Sequence, residues 1–192
     1  MKKTLLLAVL ALALPTAVFA GSSVDYTNFG GTLSGSSSGL TLTGSTLIAV
    51  NGIKDTGSVS FSTGSLMGIS STGDYTFAAG GSFQITGSGG GALFTGTFSD
   101  PVKLSLIPMG KGADGNHVYV LTGSVDGMTA SGYMVSGVAV ETVINTGKGP
   151  FNGSTVISSG DTTLLVPEPG SLGLLGTGLI GLAGVVRRKL KS

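Results

Sequence analysis

Apolar and polar residues alternate with a period of two along residues 40–157, and glycine-rich segments interrupt the alternation every several residues. Such a pattern is typical of short strands that bury one face. No segment of this region sustains a 3.6-residue period, so the pattern predicts no helix there. The sequence therefore predicts an all-β domain, either an antiparallel β-sandwich or an open barrel. A β-solenoid is a minor alternative.

The alternation also predicts which residues share one face of each strand. These are Leu40, Leu42, Thr46, Ile48, Val50, Val59, Phe61, Tyr75, Phe77, Phe83, Ile85, Phe94, Phe98, Val102, Leu104, Leu106, Val118, Val120, Tyr133, Val135, Val138, Val140, Thr142, Ile144 and Val156. Four dipeptides suit two-residue primed hairpin turns: Asn51-Gly52, Asp114-Gly115, Asp126-Gly127 and Asn152-Gly153. Gly80-Gly81 and Gly89-Gly90-Gly91 predict looser connections.

The segments on either side of this region have the composition of flexible linkers. Residues 21–39 are rich in glycine and serine and predict a poorly ordered lead-in, with Tyr26 and Phe29 tucked onto the sheet. Residues 158–165 predict an exposed linker. The β-rich domain is accordingly assigned to residues 40–157.

The first twenty residues have the three parts of a secretory signal peptide. Lys2 and Lys3 precede an apolar stretch, Leu5–Leu14, which leads to the small-residue site that ends at Ala20. We expect export by the Sec translocon and cleavage by signal peptidase between Ala20 and Gly21. The apolar stretch is too short for a comfortable membrane span, which favours a cleaved signal helix over an anchor.

The last 27 residues, 166–192, join three unlike segments. Pro167, Glu168 and Pro169 come first, the apolar run Leu172–Val186 follows, and a basic cluster that begins at Arg187 ends the chain. Closely spaced prolines disfavour a continuing helix, so the apolar helix is expected to start after Pro169. Its roughly 15 residues would span about 22 Å, less than the hydrocarbon core of about 30 Å.

This arrangement resembles the PEP-CTERM sorting signal of exopolysaccharide-producing bacteria. The resemblance implies a precursor held in the inner membrane by a single C-terminal transmembrane helix and processed by an exosortase near Pro167-Glu168-Pro169. Arg187, Arg188 and Lys189 would then stay on the cytoplasmic side. The mature protein would reach the cell surface or the polysaccharide matrix. The alternative is an ordinary C-terminal membrane anchor.

The composition of residues 21–166, the body of the chain between its two terminal signals, limits which functions are possible. Four lysines and eight acidic residues give residues 21–166 a net charge of −4, although the whole chain carries +1. This balance argues against nucleic acid as a partner, because nucleic-acid binding normally leaves a basic footprint. The chain has no cysteine, which excludes disulfides, zinc–thiolate sites and iron–sulfur clusters.

The body offers few candidate groups for catalysis. His117 is the only histidine, so a Ser-His-Asp arrangement would have to use it, and its position after Asp114-Gly115 favours an exposed strand start. Residues 110–115 match the bare G-x-G-x-x-G pattern, but a strand rather than the required helix is predicted to follow. The eight acids are dispersed, with no local sign of a glycosidase pair. We predict no cofactor.

Two binding or modification motifs have simpler structural explanations. Asp114 and Asn116 could offer oxygens to calcium, but calcium takes about six to eight ligands and no acidic loop surrounds them. Asn152-Gly153-Ser154 matches an N-glycosylation acceptor, but a hairpin turn is the favoured explanation.

Three functions remain. The first is an exported, non-catalytic protein of the cell surface or of the exopolysaccharide matrix, and the sequence favours it. The second is an extracellular module that binds carbohydrate or calcium. The third is a secreted hydrolase that uses His117 or two gathered acids.

Overall fold

The computed structural model describes residues 22–107, 117–145 and 153–166. Every regular element in these residues is a β-strand. They are β1 (Ser22–Phe29), β2 (Thr32–Ser36), β3 (Gly39–Val50), β4 (Ile53–Ser62), β5 (Leu66–Ile69), β6 (Tyr75–Phe77), β7 (Gly80–Thr86), β8 (Ala92–Phe98), β9 (Val102–Ile107), β10 (His117–Thr129), β11 (Met134–Asn145) and β12 (Gly153–Val166). The prediction of an all-β antiparallel domain is confirmed.

The twelve strands belong to one sheet, and its pairings close on themselves. The path β2-β3-β4-β7-β8-β10 continues through β11 and β12 back to β2. Strand β1 lies in line with β2 and pairs with β3, while β9, β6 and β5 branch from the first half of β10. The strands thus do not separate into the two sheets of a sandwich, and the antiparallel register excludes a solenoid for these residues.

Two segments that the sequence predicts as flexible contribute strands instead. Residues 22–36 contain β1 and β2, and residues 158–165 lie inside β12. The predictions of a lead-in at 21–39 and of a linker at 158–165 are therefore wrong for the described residues. The compact unit runs from Ser23 to Val166. Segments rich in serine and glycine can form strands when neighbouring strands supply the apolar side chains that cover them. Their composition alone therefore does not identify a flexible linker.

The core lies on the inner face of the ring and is built from alternating residues of every strand except β5. Its largest fully buried side chains are Leu33, Leu40, Leu42, Leu47, Phe77, Phe83, Ile85, Phe94, Phe98, Leu104, Tyr119 and Leu121. Most of the predicted apolar alternation is therefore confirmed. Burial of this much aliphatic and aromatic surface is the main favourable term for a domain that has no disulfide.

The predicted face of some strands is wrong. In β11 the inward residues include Ala139 and Val143, whereas Val138 and Val140 are 43% and 39% exposed. This strand is apolar on both faces, and its pairing with β10 and β12 sets which face turns inward. A one-residue offset is enough to reverse every side chain of a strand.

The same reversal occurs in the strands that flank β11. Tyr119 and Leu121 are buried in β10 in place of the predicted Val118 and Val120, and β12 buries Ile157 while Val156 is 59% exposed. Strand β3 changes face part-way along. Leu40 and Leu42 are buried as predicted, but the register against β4 shifts between Leu42 and Ser45. After this bulge Ser45 and Leu47 face inward, and Thr46 and Ile48 are exposed.

The predicted turns have mixed outcomes. Asn51 and Gly52 join β3 to β4 with φ values of 51° and 73°, as a primed turn requires. Gly89-Gly90-Gly91 connects β7 to β8 as predicted. Asp126-Gly127 lies inside β10 and Gly80-Gly81 begins β7, so neither is a connection. Asp114-Gly115 and Asn152 lie outside the described residues.

Candidate functional site

A polar cluster lies inside the ring, where β11, β12, β1 and β3 adjoin. Asn28, Ser45 and Glu141 are exposed by no more than 1% and point inward from β1, β3 and β11. The Asn28 Nδ2 atom lies 2.9 Å from Ser45 Oγ and 3.2 and 3.0 Å from the two Glu141 carboxyl oxygens. Side chains of three strands therefore converge on one amide nitrogen in the buried interior.

The hydrogen bonds of this cluster are unevenly distributed. An amide nitrogen has two hydrogens, but three acceptor oxygens surround Asn28 Nδ2. The other amide atom, Asn28 Oδ1, has no hydrogen-bond partner among the described residues, and neither has the buried Thr162 Oγ1. Buried polar groups are normally paired, so these two orphaned oxygens mark an interior that is not optimised for stability alone.

Burial raises the pKa of Glu141 to about 7. The hydrogen bonds from Asn28 oppose this rise, and the nearby negative charge of Asp161 adds to it. Near neutral pH the carboxyl group can therefore hold or release a proton. This is the property that a proton-transfer group needs.

Gly160 provides the space that the carboxyl group occupies. Glu141 is paired with Gly160 across β11 and β12, and its side chain crosses above the glycine towards β1. A Cβ atom at position 160 would lie 1.8 Å from Glu141 Oε2. Any larger residue there would displace the carboxyl group.

A second polar feature lies on the outside of the ring. Ser154, Ser34, Thr41, Ser62 and Ser82 occupy paired positions on β12, β2, β3, β4 and β7 and form an outward-facing hydroxyl row. Within this row the Ser62 and Ser82 hydroxyls are 3.0 Å apart, and those of Ser34 and Ser154 are 3.5 Å apart. A pocket of about 250 Å³ opens beside it, lined by Ser36, Ser38 and Thr63 among others.

The other acids of the described body serve mainly at turns and on the surface, as predicted. Asp55 accepts hydrogen bonds from the backbone of Thr56 at 2.7 Å and of Ser88 at 3.2 Å. Asp74 accepts from Thr72 Oγ1 at 2.8 Å and from the Leu106 amide at 2.9 Å. Glu141 is the exception.

The candidate catalytic and metal-binding groups are not gathered into a site. His117 is half-buried at the start of β10, opposite Asn145. Within residues 22–107, 117–145 and 153–166, no three His, Cys, Asp or Glu residues lie close enough together to hold a metal ion. Asp114, Asn116 and the rest of the 110–115 glycine pattern lie outside the described residues.

Sequence reasoning missed the buried cluster, although one signal was present. Glu141 is the only glutamate of the body and interrupts an otherwise apolar strand. An isolated acid in such a strand is either exposed or buried with partners, and only the register decides between them. Asn28 and Ser45 had no distinguishing sequence context.

The predicted sorting residues all lie outside the described residues. They are Ala20 and Gly21 at the signal cleavage site, Pro167, Glu168 and Pro169 in the motif, and Arg187, Arg188 and Lys189 in the basic tail. The predicted signal helix and the predicted C-terminal helix lie there too. In the part of the chain that the structure describes, no helix is long and apolar enough to cross a membrane.

Comparison with known protein families decides the role of the C-terminal segment. Residues 165–189 match the model of the PEP-CTERM protein-sorting motif. The chain carries a PEP-CTERM sorting signal. The match begins at Leu165, the penultimate residue of β12. Neither the curated proteins nor the solved structures contain a match to the chain.

The motif implies a precursor that an exosortase sorts to the cell surface. Exosortase is therefore implied as a processing partner, and a membrane-anchored precursor as its substrate. The motif covers only the C-terminal end of the chain. It says nothing of what the β-unit does.

Proposed function

We propose that this protein is an exported, non-catalytic component of the cell surface or of the exopolysaccharide matrix. The match at residues 165–189 carries this proposal. Signal peptidase would cleave between Ala20 and Gly21, and exosortase would act near Pro167-Glu168-Pro169. The Ser23–Val166 unit would then be delivered as a structural β-domain.

The described unit supports a non-catalytic role in two ways. Asp55 and Asp74 are engaged with backbone amides and hydroxyl groups rather than paired across a cleft. The one buried acid, Glu141, is 0% exposed and so cannot contact an external substrate. A hydrolase would require an acid or a histidine that a sugar chain could reach.

The sorting proposal is tested in cells that express the full chain with and without the exosortase. With the enzyme, we expect a mature species that begins at Gly21, ends near Pro169 and is released from the inner membrane. Without it, we expect a species of higher mass that stays in the membrane fraction. A chain that retains residues 172–192 in both strains would show that the tail acts as a plain anchor.

A second candidate function is binding of a neutral polysaccharide, and the outer hydroxyl row favours it. Its five hydroxyls repeat across adjacent strands, which lie about 4.8 Å apart, and carry no charge. Hydroxyl groups both donate and accept, so such a row can follow the hydroxyls of a sugar chain. The adjoining pocket of about 250 Å³ leaves the row accessible.

This second function is tested by affinity electrophoresis of the full chain in gels that contain the extracellular polysaccharide of the producing bacterium. Replacing Ser62 and Ser82 together by alanine should abolish any retardation, while Ser136→Ala, an exposed serine on β11 outside the row, should preserve it. Equal mobility of wild type and double variant would contradict a binding role for the row.

A further inference from the structure

We propose that the buried cluster is a self-modification site, in which Ser45 and Asn28 form an intramolecular ester with loss of ammonia and Glu141 carries the proton. The product would join β1 to β3 covalently inside the ring. Nothing in the sorting signal requires this step, so the proposal is independent of the proposed function.

Proximity is the first argument. Ser45 Oγ lies 2.9 Å from Asn28 Nδ2, and the carbonyl carbon Cγ is one bond beyond that nitrogen. Both residues are fixed by strands that pair directly with each other, since Asn28 lies opposite Leu47 and Phe29 opposite Thr46. Holding a nucleophile beside its target in a rigid frame supplies much of the advantage of an intramolecular reaction.

The position of Glu141 is the second argument. Its carboxyl oxygens lie 3.0 and 3.2 Å from the nitrogen that would leave. Serine hydroxyls are weak nucleophiles until a neighbouring base accepts their proton, and an amide nitrogen leaves only when it is protonated. A carboxyl group whose pKa lies near neutrality can perform both transfers.

The reaction replaces the Asn28 side-chain amide by an ester and releases ammonia. The Ser45 hydroxyl, which donates to the Phe29 carbonyl oxygen at 3.5 Å, first turns towards Glu141. Its proton then passes to the Glu141 carboxylate as Ser45 Oγ attacks Asn28 Cγ. Glu141 then gives this proton to Nδ2, the Cγ–Nδ2 bond breaks, and ammonia leaves. The new Cγ–Oγ bond completes an ester, and no oxidant, reductant or other reactant is needed.

The surroundings would protect the product. All three side chains are exposed by no more than 1%, so water is kept from hydrolysing the ester. Asn28 Oδ1, which has no partner among the described residues, would become the ester carbonyl oxygen. The cross-link would close a chain loop between residues 28 and 45, which restricts the unfolded chain as a disulfide does. The chain has no cysteine for that purpose.

The test is the mass of one peptide from the full-length exported chain. The first lysine after residue 3 is Lys54, so a single tryptic peptide contains both Asn28 and Ser45. We expect this peptide to be lighter than its sequence by about 17 Da, the mass of ammonia. Cleavage after Phe29 should leave its two halves joined, and hydroxylamine, which cleaves esters, should then separate them.

Variants separate the ester from other ways of losing ammonia. Ser45→Ala should restore the full peptide mass, because the nucleophile is gone. Residue 141 lies outside this peptide, so Glu141→Gln does not alter its sequence mass. Recovery of the full mass in this variant would therefore report loss of the proton carrier. Circular dichroism is the control for folding. Glu141→Gln that still forms the ester completely would exclude Glu141 from the reaction.

Two results would overturn the proposal. One is a wild-type peptide at its full sequence mass after prolonged incubation of the folded protein at neutral pH. The other is a deficit of ammonia that persists in Ser45→Ala, which would indicate a local succinimide instead, at Asn28 or at Asn51-Gly52 in the same peptide.

Discussion

The two halves of the interior differ in what fills them. Along β4, β7 and β8 the filling is aromatic: the rings of Phe61 and Phe83 stack with centroids 5.6 Å apart, and Phe98 meets both edge-on at 5.5 Å. Where β11, β12, β1 and β3 adjoin, an amide, a hydroxyl and a carboxyl group take the same inward positions.

The difference shows that alternation alone does not fix the chemistry of an interior. Aromatic rings gain free energy from burial and from their preferred geometries. A buried carboxyl group costs free energy unless it is paired, and its partner Asn28 keeps one oxygen, Oδ1, without a hydrogen bond among the described residues. The aromatic half should therefore determine stability, while the polar half should determine how stability and covalent structure respond to pH.

Removal of one central ring gives the largest expected effect and tests the aromatic half. Phe83→Ala should lower the free energy of unfolding by about 3–5 kcal/mol, because Phe83 contacts Phe61, Phe94 and Phe98 and its loss leaves a cavity. Urea unfolding measures the change. The matched control is Phe29→Ala: Phe29 is 59% exposed, and its loss should change stability by about 0.5 kcal/mol or less. Equal losses in the two variants would contradict the assignment of stability to the aromatic half.

Neutralising the buried acid gives the next largest effect. Folding raises the pKa of Glu141 from an ordinary value of 4.5 to about 7, so the unfolded chain releases this proton at lower pH than the folded chain does. Its contribution to stability is fully present below pH 4.5 and is lost as pH rises to about 7, a loss of about 3 kcal/mol by linkage.

Glu141→Gln should remove this slope. Urea unfolding at a series of pH values from 4 to 8 measures it, and Asp161→Asn, which removes the neighbouring charge, should only reduce it. A slope that survives intact in Glu141→Gln would show that another group titrates in this range.

Both halves could be predicted from the sequence to different degrees. The aromatic half was found because Phe61, Phe83 and Phe98 lie at alternating positions between clear breaks. In the polar half, β11 is apolar on both faces, so the local pattern could not determine which of Val140 and Glu141 turns inward. Pairing with β10 and β12 decides it, and that information is not local.

The same limit explains the missed first strands. Residues 22–36 contain only three large apolar residues that become buried or partly buried: Val24, Tyr26 and Leu33. Their strand character comes from β3 and β12, which offer unpaired edges on both sides. Asn28 therefore looked like a residue of a polar segment, and its contact with Glu141, 113 positions away, could not be inferred.

The close approach of the Glu141 carboxyl group to Gly160 predicts a smaller effect on stability. Gly160→Ala should cost about 1–3 kcal/mol, because the new Cβ would overlap the Glu141 carboxyl group. In a Glu141→Ala background the cost should shrink, since the clashing group is gone, and a double-mutant cycle measures the coupling. Gly68→Ala on β5, where no atom lies within 4 Å of the new Cβ, is the matched control. If the losses of stability in the two single variants simply added in the double variant, the strain caused by Gly160→Ala would not come from Glu141.

The smallest expected effect concerns an acid on the outside, where the dependence on pH should have the opposite sign. Hydrogen bonds from the Thr72 hydroxyl and the Leu106 amide lower the pKa of Asp74, which is partly exposed at the surface. A lowered pKa contributes stability above the pKa of the unfolded chain, and this contribution is lost as pH falls through the folded value. Asp74→Asn should therefore reduce the loss of stability at acid pH. This change in the free energy of unfolding should be smaller than the change that Glu141→Gln causes near neutral pH. Thr72→Ala, which removes the strongest of these donors, should reproduce part of the effect. If Asp74→Asn or Thr72→Ala changed stability at alkaline pH instead, the predicted opposite pH dependence of Glu141 and Asp74 would be contradicted.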